Sequence, residues 1–437
     1  MTTTHFIVSP SANLHGHLRV PGDKSISHRA IMLGALAEGV TRIGGFLEGE
    51  DCLATLQAFR AMGVGIEGPQ NGNVTIQGVG LHGLRAPREP LYMGNSGTSM
   101  RLLAGLLAGQ TFASVLTGDA SLSRRPMRRV TEPLSLMEAQ IATTPEGTAP
   151  LRIQGNSALQ GIDYTLPVAS AQIKSCLLLA GLYAQGRTCV TEPAATRDHT
   201  ERMLTSFGYD LERQERRVCL HGGGHLRACD LEIPADISSA AFFLVGASIA
   251  PAADIVLENV GVNPTRTGVI TILRRMGADI TLLNERRAGG EPVADIRVRS
   301  TPLHGIRIPA ELVSLAIDEF PALFIAAACA QGETVLTGAE ELRVKESDRI
   351  QVMADGLRTV GVAARPTPDG MIISGGRLGG GVIASHGDHR IAMAFAMAAL
   401  RAQGTIRIQD CANVNTSFPG FVPLARSAGL TIDTVSS

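Results

Sequence analysis

Six segments of the chain are apolar at nearly every position, and they recur at similar spacing. The segments lie at residues 29–37, 100–108, 173–182, 240–247, 320–328 and 391–400. With Gly34, Gly105, Gly181, Gly246, Ala327 and Ala398 as markers, successive segments stand 71, 76, 65, 81 and 71 residues apart. Because a helix that is apolar on every side is a buried helix, the pattern predicts six buried helices, one in each of six repeats.

A second, amphipathic helix follows most of these segments after a short β-like stretch. Its pattern ends at a glycine in four places, Gly63, Gly208, Gly277 and Gly361, and glycine after the last turn is the expected end of a helix. Each repeat therefore reads as βαβαββ, about 70 residues long, and the six repeats divide into two domains of three. The alternative is an ordinary α/β chain in which similar helices recur by chance.

Composition and charge narrow the class of protein. Of the 437 residues, 44% are hydrophobic and 18% are charged, which suffices for a sizeable core and argues against disorder. The formal net charge is −1, whereas a general nucleic-acid or membrane-surface protein is usually basic. Glycine is frequent, with 49 residues, and Trp is absent, so the core must be built from aliphatic residues and Met.

The cysteines and the hydropathy predict a soluble cytoplasmic protein. Seven cysteines are scattered without a C-x-x-C pair, which is typical of free thiols in a reducing compartment. The first residues show no secretory signal. The longest uncharged apolar stretch, Ala240 to Ala253, is too short to span a bilayer and contains Pro251, so we expect no association with a membrane.

Basic side chains stand at the start of several of the predicted buried helices. These are Lys24, Arg29, Arg101, Lys174 and Arg390. A helix N-terminus already carries partial positive charge, so a cation there is unfavourable unless an anion joins it. Any one of them could be a solvated side chain, but their recurrence on stacked repeats predicts an anion-binding pocket. Asp236, at the start of the fourth repeat's helix, reads as a plain helix cap.

Two further segments are rich in charge. Residues 123–129 hold four arginines, and residues 340–349 alternate acidic and basic side chains at helical spacing. The first could be a nucleic-acid patch, although it lacks the aromatic residues that usually accompany one. The second could be a surface helix with salt bridges. His386 and His389 could offer two metal ligands, but no second His or Cys cluster accompanies them, so we expect no metal.

Nine motifs along the chain contain most of the basic and acidic residues described above. They are Pro21-Gly-Asp-Lys-Ser-Ile-Ser-His-Arg29, Gly94-Asn-Ser-Gly-Thr98 with Arg101, Arg125-Pro-Met127, Ser170-Ala-Gln172, Thr196-Arg-Asp-His-Thr200, Ile317-Asp-Glu-Phe-Pro321, Arg343-Val-Lys-Glu-Ser-Asp-Arg349, Asp388-His-Arg-Ile-Ala-Met393 and Ser417-Phe-Pro419. In type and order they resemble the enolpyruvyl transferase family, in its EPSP synthase branch. They run from residue 20 to residue 420, so the resemblance covers nearly the whole chain.

The resemblance implies both a fold and a reaction. The fold is an α/β enolpyruvyl transferase fold of two domains, each with three βαβαββ repeats packed around buried helices. The domains would be 22–235 and 236–437, with residues 1–21 crossing back to the second, and would close over the substrates. The reaction transfers the enolpyruvyl group of phosphoenolpyruvate to the 5-hydroxyl of shikimate 3-phosphate, releasing phosphate, a step of chorismate and aromatic amino-acid biosynthesis. The implied partners are these two small anions, with no cofactor and no nucleic acid, and the enzyme would be a monomer.

The family's residue roles carry over to matching positions. Asp318 would be the base that takes the hydroxyl proton, and Lys24 and Glu346 would handle the other proton transfers, in a division that stays open. The residues implied for shikimate 3-phosphate are Lys24, Ser25, Arg29, Ser170, Gln172, Arg197, Asp318 and Lys345. Those implied for phosphoenolpyruvate are Lys24, Gly97, Arg125, Gln172, Arg349 and Arg390.

Some positions depart from the family's usual pattern. Ala171, Glu341 and Thr416 stand where many members have Ser, Asn and Lys. Members that tolerate the inhibitor glyphosate commonly carry Ala where this chain has Gly97, so tolerance is left open.

Two rival functions follow from the same motifs. UDP-N-acetylglucosamine enolpyruvyl transferase shares the fold, but it usually has Asn where this chain has Ser25 and a loop Cys near Arg125, and no Cys lies between Cys52 and Cys176. The other rival is a non-catalytic relative that binds nucleic acid through the arginines of 123–129.

Overall fold

The computed structural model describes residues 4–156 and 158–436, which form two compact units. The N unit comprises residues 22–233 and 288–291, and the C unit comprises residues 4–21, 234–287 and 292–436. Each unit has its own hydrophobic core.

The helices and strands alternate along the whole chain. The helices are α1 (Lys24–Leu36), α2 (Glu50–Ala61), α3 (Gly97–Ala108), α4 (Arg128–Leu136), α5 (Ala171–Gly181), α6 (His199–Ser206), α7 (Ile237–Ile249), α8 (Gly268–Arg275), α9 (Phe320–Cys329), α10 (Arg349–Thr359), α11 (His389–Ala398) and α12 (Phe421–Ser427). The strands are β1 (Thr4–Ser9), β2 (Asn13–Leu18), β3 (Glu38–Gly44), β4 (Gly65–Gln70), β5 (Asn73–Val79), β6 (Leu91–Tyr92), β7 (Ser114–Thr117), β8 (Gln140–Ala142), β9 (Leu151–Gln154), β10 (Asp163–Thr165), β11 (Arg187–Thr191), β12 (Glu212–Gln214), β13 (Arg217–His221), β14 (Leu231–Glu232), β15 (Ala252–Gly261), β16 (Asp279–Ala288), β17 (Glu291–Arg299), β18 (Glu333–Leu336), β19 (Ala363–Thr367), β20 (Gly370–Ser374), β21 (Gly381–Ala384), β22 (Ile406–Gln409) and β23 (Thr431–Ser436).

Three sheets of the N unit share one topology. Their strand orders are β6-β7-β9-β8, β10-β11-β13-β12 and β14-β3-β5-β4. In each sheet the first two strands are parallel and the others pair antiparallel, so one helix crosses between the parallel strands and a second precedes the closing hairpin. This is the predicted βαβαββ repeat, with one difference. The first repeat takes its first strand, β14, from the far end of the unit.

The C unit repeats this topology with help from the N-terminal segment. Its sheets are β16-β17-β15-β2, β18-β20-β19 and β21-β22-β1-β23. Strand β2 pairs parallel with β15 and supplies the first strand of the fourth repeat, while β1 lies between β22 and β23 and supplies the last strand of the sixth. In the fifth repeat the first strand is reduced to isolated bridges, such as Arg307 to Val335. The predicted fold class is therefore confirmed, with the N-terminal strands completing two repeats.

The six apolar segments form the buried helices that their pattern predicts. They are α1, α3 and α5 in the N unit and α7, α9 and α11 in the C unit. Every residue of α7 is buried, and all of α9 up to Ala328 is buried. These helices are the centre of each core, so the polar residues at their N-termini are held by a rigid frame.

Five amphipathic helices end at a glycine, four of them at the predicted positions, whereas α4 ends before Glu138. Gly63, Gly208, Gly277, Gly361 and Gly429 all have positive φ, which glycine adopts without strain. In four repeats an arginine three residues before this glycine donates to the carbonyl six residues beyond the arginine. The pairs are Arg60 with Ile66, Arg274 with Ile280, Arg358 with Ala364 and Arg426 with Ile432.

Two cysteines correct the prediction that all seven are free thiols. Cys189 on β11 and Cys219 on β13 stand directly opposite each other in the sheet, and their sulfurs are bonded. The other five cysteines are thiols outside any disulfide, and Cys52, Cys176 and Cys411 are buried. Over the ranges 4–156 and 158–436, no helix has both the length and the apolar character needed to cross a membrane.

Candidate active site

In the N unit, the N-termini of α1, α3 and α5 are fixed by capping side chains. Asp23, Ser96 and Ser170 each accept a hydrogen bond from the backbone N–H three residues later, at 2.9, 3.1 and 3.4 Å. A helix N-terminus carries partial positive charge and therefore favours an anion.

The starts of α3 and α5 are joined by polar side chains. Arg101 Nη1 donates to Gln172 Oε1 at 2.6 Å, and Gln172 Nε2 donates to Thr98 Oγ1 at 3.0 Å. A methyl group on Gly97 would lie 3.2 Å from Nη1 of both Arg101 and Arg125. Two guanidinium groups therefore stand over the first residue of α3, as an anion site requires.

Arg125 is held in this place by Asn95 and Asp119. Its Nη2 donates to Asn95 Oδ1 at 2.6 Å, and Asn95 Nδ2 donates to Asp119 Oδ2 at 2.8 Å. The sequence singled out Arg101 as a basic residue and Asn95 and Thr98 only as part of a motif. Arg101 and Thr98 hold Gln172, and Asn95 holds Arg125, through contacts that the sequence does not show.

Lys24 is paired with a carboxylate that sequence reasoning did not identify. Its Nζ forms an ion pair with Asp51, near the start of α2, and the Lys24 side chain remains 20% exposed. Ser25 is half-buried beside it. Asp51 lies in an acidic first turn that reads as an ordinary favourable feature of a helix start, so no sequence signal distinguished it.

Arg29 and Lys174 are both buried, and each has hydrogen-bond or ion-pair partners within the N unit. Arg29 donates through Nε to Thr200 Oγ1 at 2.7 Å, through Nη2 to Ser175 Oγ at 2.8 Å, and through Nη1 to the carbonyl of Ser25 at 2.9 Å. Arg197, predicted to bind the same substrate as Arg29, is half-buried in the loop before α6.

Lys174 does not support the anion-pocket hypothesis. It is 1% exposed, and its Nζ lies 2.8 Å from Glu192 and 2.7 Å from Glu201. Two carboxylates compensate its charge inside the fold, which is the condition for burying a lysine.

In the C unit, Asp318 lies two residues before α9, next to its N-cap Glu319, and is close to three cationic side chains. Its Oδ1 is 3.3 Å from Lys345 Nζ and 3.5 Å from Arg349 Nη1, and its side chain is 14% exposed. Arg390 Nη1 donates to the Asp318 backbone carbonyl at 3.0 Å. The structure thus brings together four predicted site residues that are far apart in the sequence, namely Asp318, Lys345, Arg349 and Arg390.

Arg349 is the buried centre of this cluster. Its Nη2 donates to Glu346 Oε2 at 2.6 Å, and its Nε donates to Asp388 Oδ2 at 2.8 Å. Burial acts to lower the pKa of Arg349, but the carboxylates of Asp388 and Glu346 outweigh burial and raise it. Burial likewise acts to raise the pKa of Asp388, yet the Arg349 charge holds that pKa below its usual value.

Asp388 also caps α11 by accepting from the Arg390 N–H at 2.9 Å. It therefore connects Arg349 with the start of the helix that bears Arg390. Within the described ranges no group of three or more His, Cys, Asp or Glu side chains could hold a metal ion.

Asp236 is more than the plain cap that the sequence suggested. It accepts from the Ser238 N–H at 2.8 Å and is also ion-paired with buried Arg266 at 3.2 Å. Arg266 and Ser238 both contact Glu319, the neighbour of Asp318. This network ties α7 to the start of α9.

Two other features lie apart from these clusters. A groove of about 710 Å³, lined in part by Pro87, Gln140 and Arg152, contains none of the predicted site residues. Thr416, which stands where many relatives have Lys, is buried and donates to the Asn413 carbonyl at 2.7 Å.

Comparison with known proteins gives a consistent result. Residues 8–424 match the family of EPSP synthase (3-phosphoshikimate 1-carboxyvinyltransferase). A 3-phosphoshikimate 1-carboxyvinyltransferase of Alkalilimnicola ehrlichii is 71% identical over 98% of this chain and 96% of that protein. One of Methylococcus capsulatus is 69% identical over 98% of both chains.

Solved structures agree with this match. An EPSP synthase of Acinetobacter baumannii is 62% identical and superposes with a TM-score of 0.89, over 99% of this chain and 100% of that one. The enolpyruvyl transferase NikO of Streptomyces tendae shares only 16% identity, with a TM-score of 0.78 over all of both chains, and so supports the fold alone. Motifs, fold and full-length identity agree, and the chain belongs to the EPSP synthase (3-phosphoshikimate 1-carboxyvinyltransferase) family.

Proposed function

We propose that the two polar clusters described above bind the substrates and move the protons of the family's reaction. In that reaction this enzyme transfers the enolpyruvyl group of phosphoenolpyruvate to the 5-hydroxyl of shikimate 3-phosphate and releases phosphate. The observation that carries the proposal is the position of Asp318, a carboxylate at the start of a buried helix with Lys345 and Arg349 at its Oδ1.

Asp318 is the base in this proposal. It takes the proton of the 5-hydroxyl as the oxygen bonds to the central carbon of phosphoenolpyruvate, and a second group protonates the methylene carbon. The resulting methyl group then loses a proton as the phosphate leaves, which restores the double bond. Lys24 and Glu346 serve these carbon proton transfers. Both stand in ion pairs, with Asp51 and Arg349 respectively, that can orient them.

The remaining predicted residues supply the anion contacts. For phosphoenolpyruvate these are Lys24, Gly97, Arg125, Gln172, Arg349 and Arg390. For shikimate 3-phosphate they are Lys24, Ser25, Arg29, Ser170, Gln172, Arg197, Asp318 and Lys345. The capped N-termini of α1, α3 and α5 and the guanidinium groups near Gly97 support this assignment, because helix N–H groups and arginine forks both favour phosphate and carboxylate.

The test is phosphate release from the two substrates together. We expect release only when both are present, and a folded sample that releases none would contradict the proposal. Asp318→Asn should lower kcat by about 10²- to 10⁴-fold with little change in substrate binding, the signature of a lost proton acceptor. Asp210→Asn, at an exposed position, is the matched control and should leave kcat unchanged.

We also propose that the enzyme works in the cytoplasm as a monomer and binds no nucleic acid. The net charge of −1 supports the last point. Size-exclusion chromatography with light scattering tests the monomer. Binding of RNA at low salt, lost at high salt, would contradict the absence of nucleic-acid binding.

A further inference from the structure

A continuous chain of polar side chains joins α1, α2 and α3 inside the N unit. His28 Nδ1 on α1 lies 2.8 Å from Thr55 Oγ1 on α2, which lies 2.6 Å from Ser99 Oγ on α3. The Ser99 hydroxyl donates to Ser96 Oγ at 2.7 Å, and the Ser99 backbone N–H donates to the same oxygen at 3.1 Å. All four residues are buried. Ser96 caps α3 and stands directly before Gly97.

The hydrogen bonds of this chain run in one direction. The Ser99 hydroxyl gives its hydrogen to Ser96, so we assign the Thr55 hydrogen to Ser99, at 2.6 Å, in preference to the Asp51 carbonyl at 3.4 Å. Thr55 then accepts from Nδ1–H of His28. This leaves His28 Nε2 without a hydrogen. That atom is buried and has no hydrogen-bond partner in the described part of the chain. Burial, together with the charges of Lys24 and Arg29, holds the pKa of His28 well below its usual value, so the ring is neutral.

The same two helices meet again one turn away. Lys24 stands four residues before His28 on α1, and Asp51 stands four residues before Thr55 on α2. Since residues four apart share a helix face, the Lys24–Asp51 ion pair and the His28–Thr55 hydrogen bond are successive contacts between α1 and α2. The second contact continues through Ser99 to Ser96.

We propose that His28, Thr55, Ser99 and Ser96 are positioning residues that set the place of Gly97 relative to Lys24, and thereby the affinity for phosphoenolpyruvate. Hydrogen bonds have defined lengths and angles, whereas the apolar contacts around these helices are non-directional. Gly97 has no side chain to anchor it, so its place depends on the cap that precedes it. The inference rests on the proposed roles of Lys24 and Gly97 in binding that substrate.

Two substitutions at Thr55 distinguish the effect of its hydroxyl group from the effect of its packing. Thr55→Val keeps the shape and removes the hydroxyl, whereas Thr55→Ser keeps the hydroxyl and removes a methyl group. We expect Thr55→Val to raise the KM for phosphoenolpyruvate roughly five- to twentyfold, since small misplacements of binding groups are costly. The KM for shikimate 3-phosphate should stay within about twofold of the wild-type value. Thr55→Ser should retain both constants.

The reverse order, with Thr55→Ser impaired and Thr55→Val unaffected, would mean that packing alone matters and would overturn the inference. So would an equal rise of KM for both substrates. Ser99→Ala should repeat the selective rise. The matched control is Ser248→Ala, which removes a buried hydroxyl of α7 that donates to the Leu244 carbonyl, and it should change neither KM.

The hydrogen-bond direction has a spectroscopic test on the wild-type protein. Nitrogen NMR of labelled histidine should show His28 as a neutral ring with its hydrogen on Nδ1 between about pH 6 and pH 8. A hydrogen on Nε2 would contradict the chain as described. If the wild-type enzyme released no phosphate, the proposed roles would fail with it. An active enzyme whose Thr55→Val and Ser99→Ala variants keep the wild-type KM would remove this inference alone.

Discussion

Gly97 begins α3 with guanidinium groups close to its open side. Its φ is not positive, so a side chain there causes no backbone strain. What an added methyl group meets is Nη1 of Arg101 and of Arg125, each at 3.2 Å, and both are the ends of flexible side chains. The consequence of a substitution is therefore expected in binding and not in folding.

We predict that Gly97→Ala folds normally and binds phosphoenolpyruvate less well. The arginines must move by a few tenths of an ångström to make room, so the KM for phosphoenolpyruvate should rise by about tenfold while that for shikimate 3-phosphate stays within about twofold. Steady-state kinetics and a thermal melt measure the two effects. A large loss of Tm would show that the position is a packing site instead.

The Arg349–Asp388 pair gives a prediction on stability. Asp388→Asn keeps a capping side chain on α11 but leaves the buried Arg349 charge less compensated, so the free energy of unfolding should fall by about 3 kcal/mol. The control is Asp355→Asn, which breaks an exposed pair with Arg358 and should cost less than about 1 kcal/mol.

The difference in free energy of unfolding between the wild type and Asp388→Asn should depend on pH. The folded-state pKa of Asp388 lies below its unfolded value of about 3.9, so the wild-type advantage is complete well above that pH. As the pH falls below about 4 towards the folded-state pKa, the advantage over the Asn variant should shrink. Denaturation of both proteins across the acid range measures it, and an advantage that grows in acid would contradict the assignment.

Lys174 shows where residue-level prediction from sequence ends. Its place at the start of a buried helix matched that of Lys24, yet its charge is compensated by Glu192 and Glu201 from later elements. Arg349 and Asp318 were identified through motifs that the chain shares with a family. Supports such as Asp51, Asn95 and Thr55 carry no signal of their own, because their role exists only in the contacts that folding creates.

At the scale of elements, four of the six repeats close their amphipathic helix in the same way. The buried helices and the glycine ends were predictable, since both follow from local pattern and from the conformational freedom of glycine. The arginine three residues before four of those glycines was visible in the sequence, but its acceptor was not. The carbonyl six residues on comes within reach only after the turn is formed.

We predict that Arg274→Met destabilises the C unit. The substitution keeps most of the apolar stem and removes two hydrogen bonds to the Ile280 carbonyl, so the cost should be about 1–2 kcal/mol. Urea denaturation followed by circular dichroism measures it. Arg407→Met, on the exposed face of β22, is the control, and an equal cost there would argue that the carbonyl contact contributes nothing.

At the scale of the whole molecule, some features depend on which strands pair, and the spacing of residues in the sequence does not predict that pairing. The scattered cysteines predicted free thiols, but the pairing of β11 with β13 sets Cys189 opposite Cys219. The spacing of residues likewise did not show which sheets the N-terminal strands β1 and β2 join. Their place in the fourth and sixth repeats depends on partners more than 200 residues away.

We predict five reactive thiols in the unfolded, unreduced protein and seven after reduction. Thiol titration in denaturant with and without a reductant gives both numbers. Seven thiols without reductant would contradict the bond between Cys189 and Cys219.

The place of β1 between β22 and β23 has a consequence for the order of synthesis. Strand β1 is synthesised about 400 residues before β22 and β23, so its edges stay unpaired until those strands are made. Thr4 lies opposite Ser436, so strands β1 and β23 bring these two residues side by side. A circular permutant joined there and reopened between Pro21 and Gly22 would make the segments 4–21 and 234–436 one continuous run, and that strand would emerge together with its neighbours.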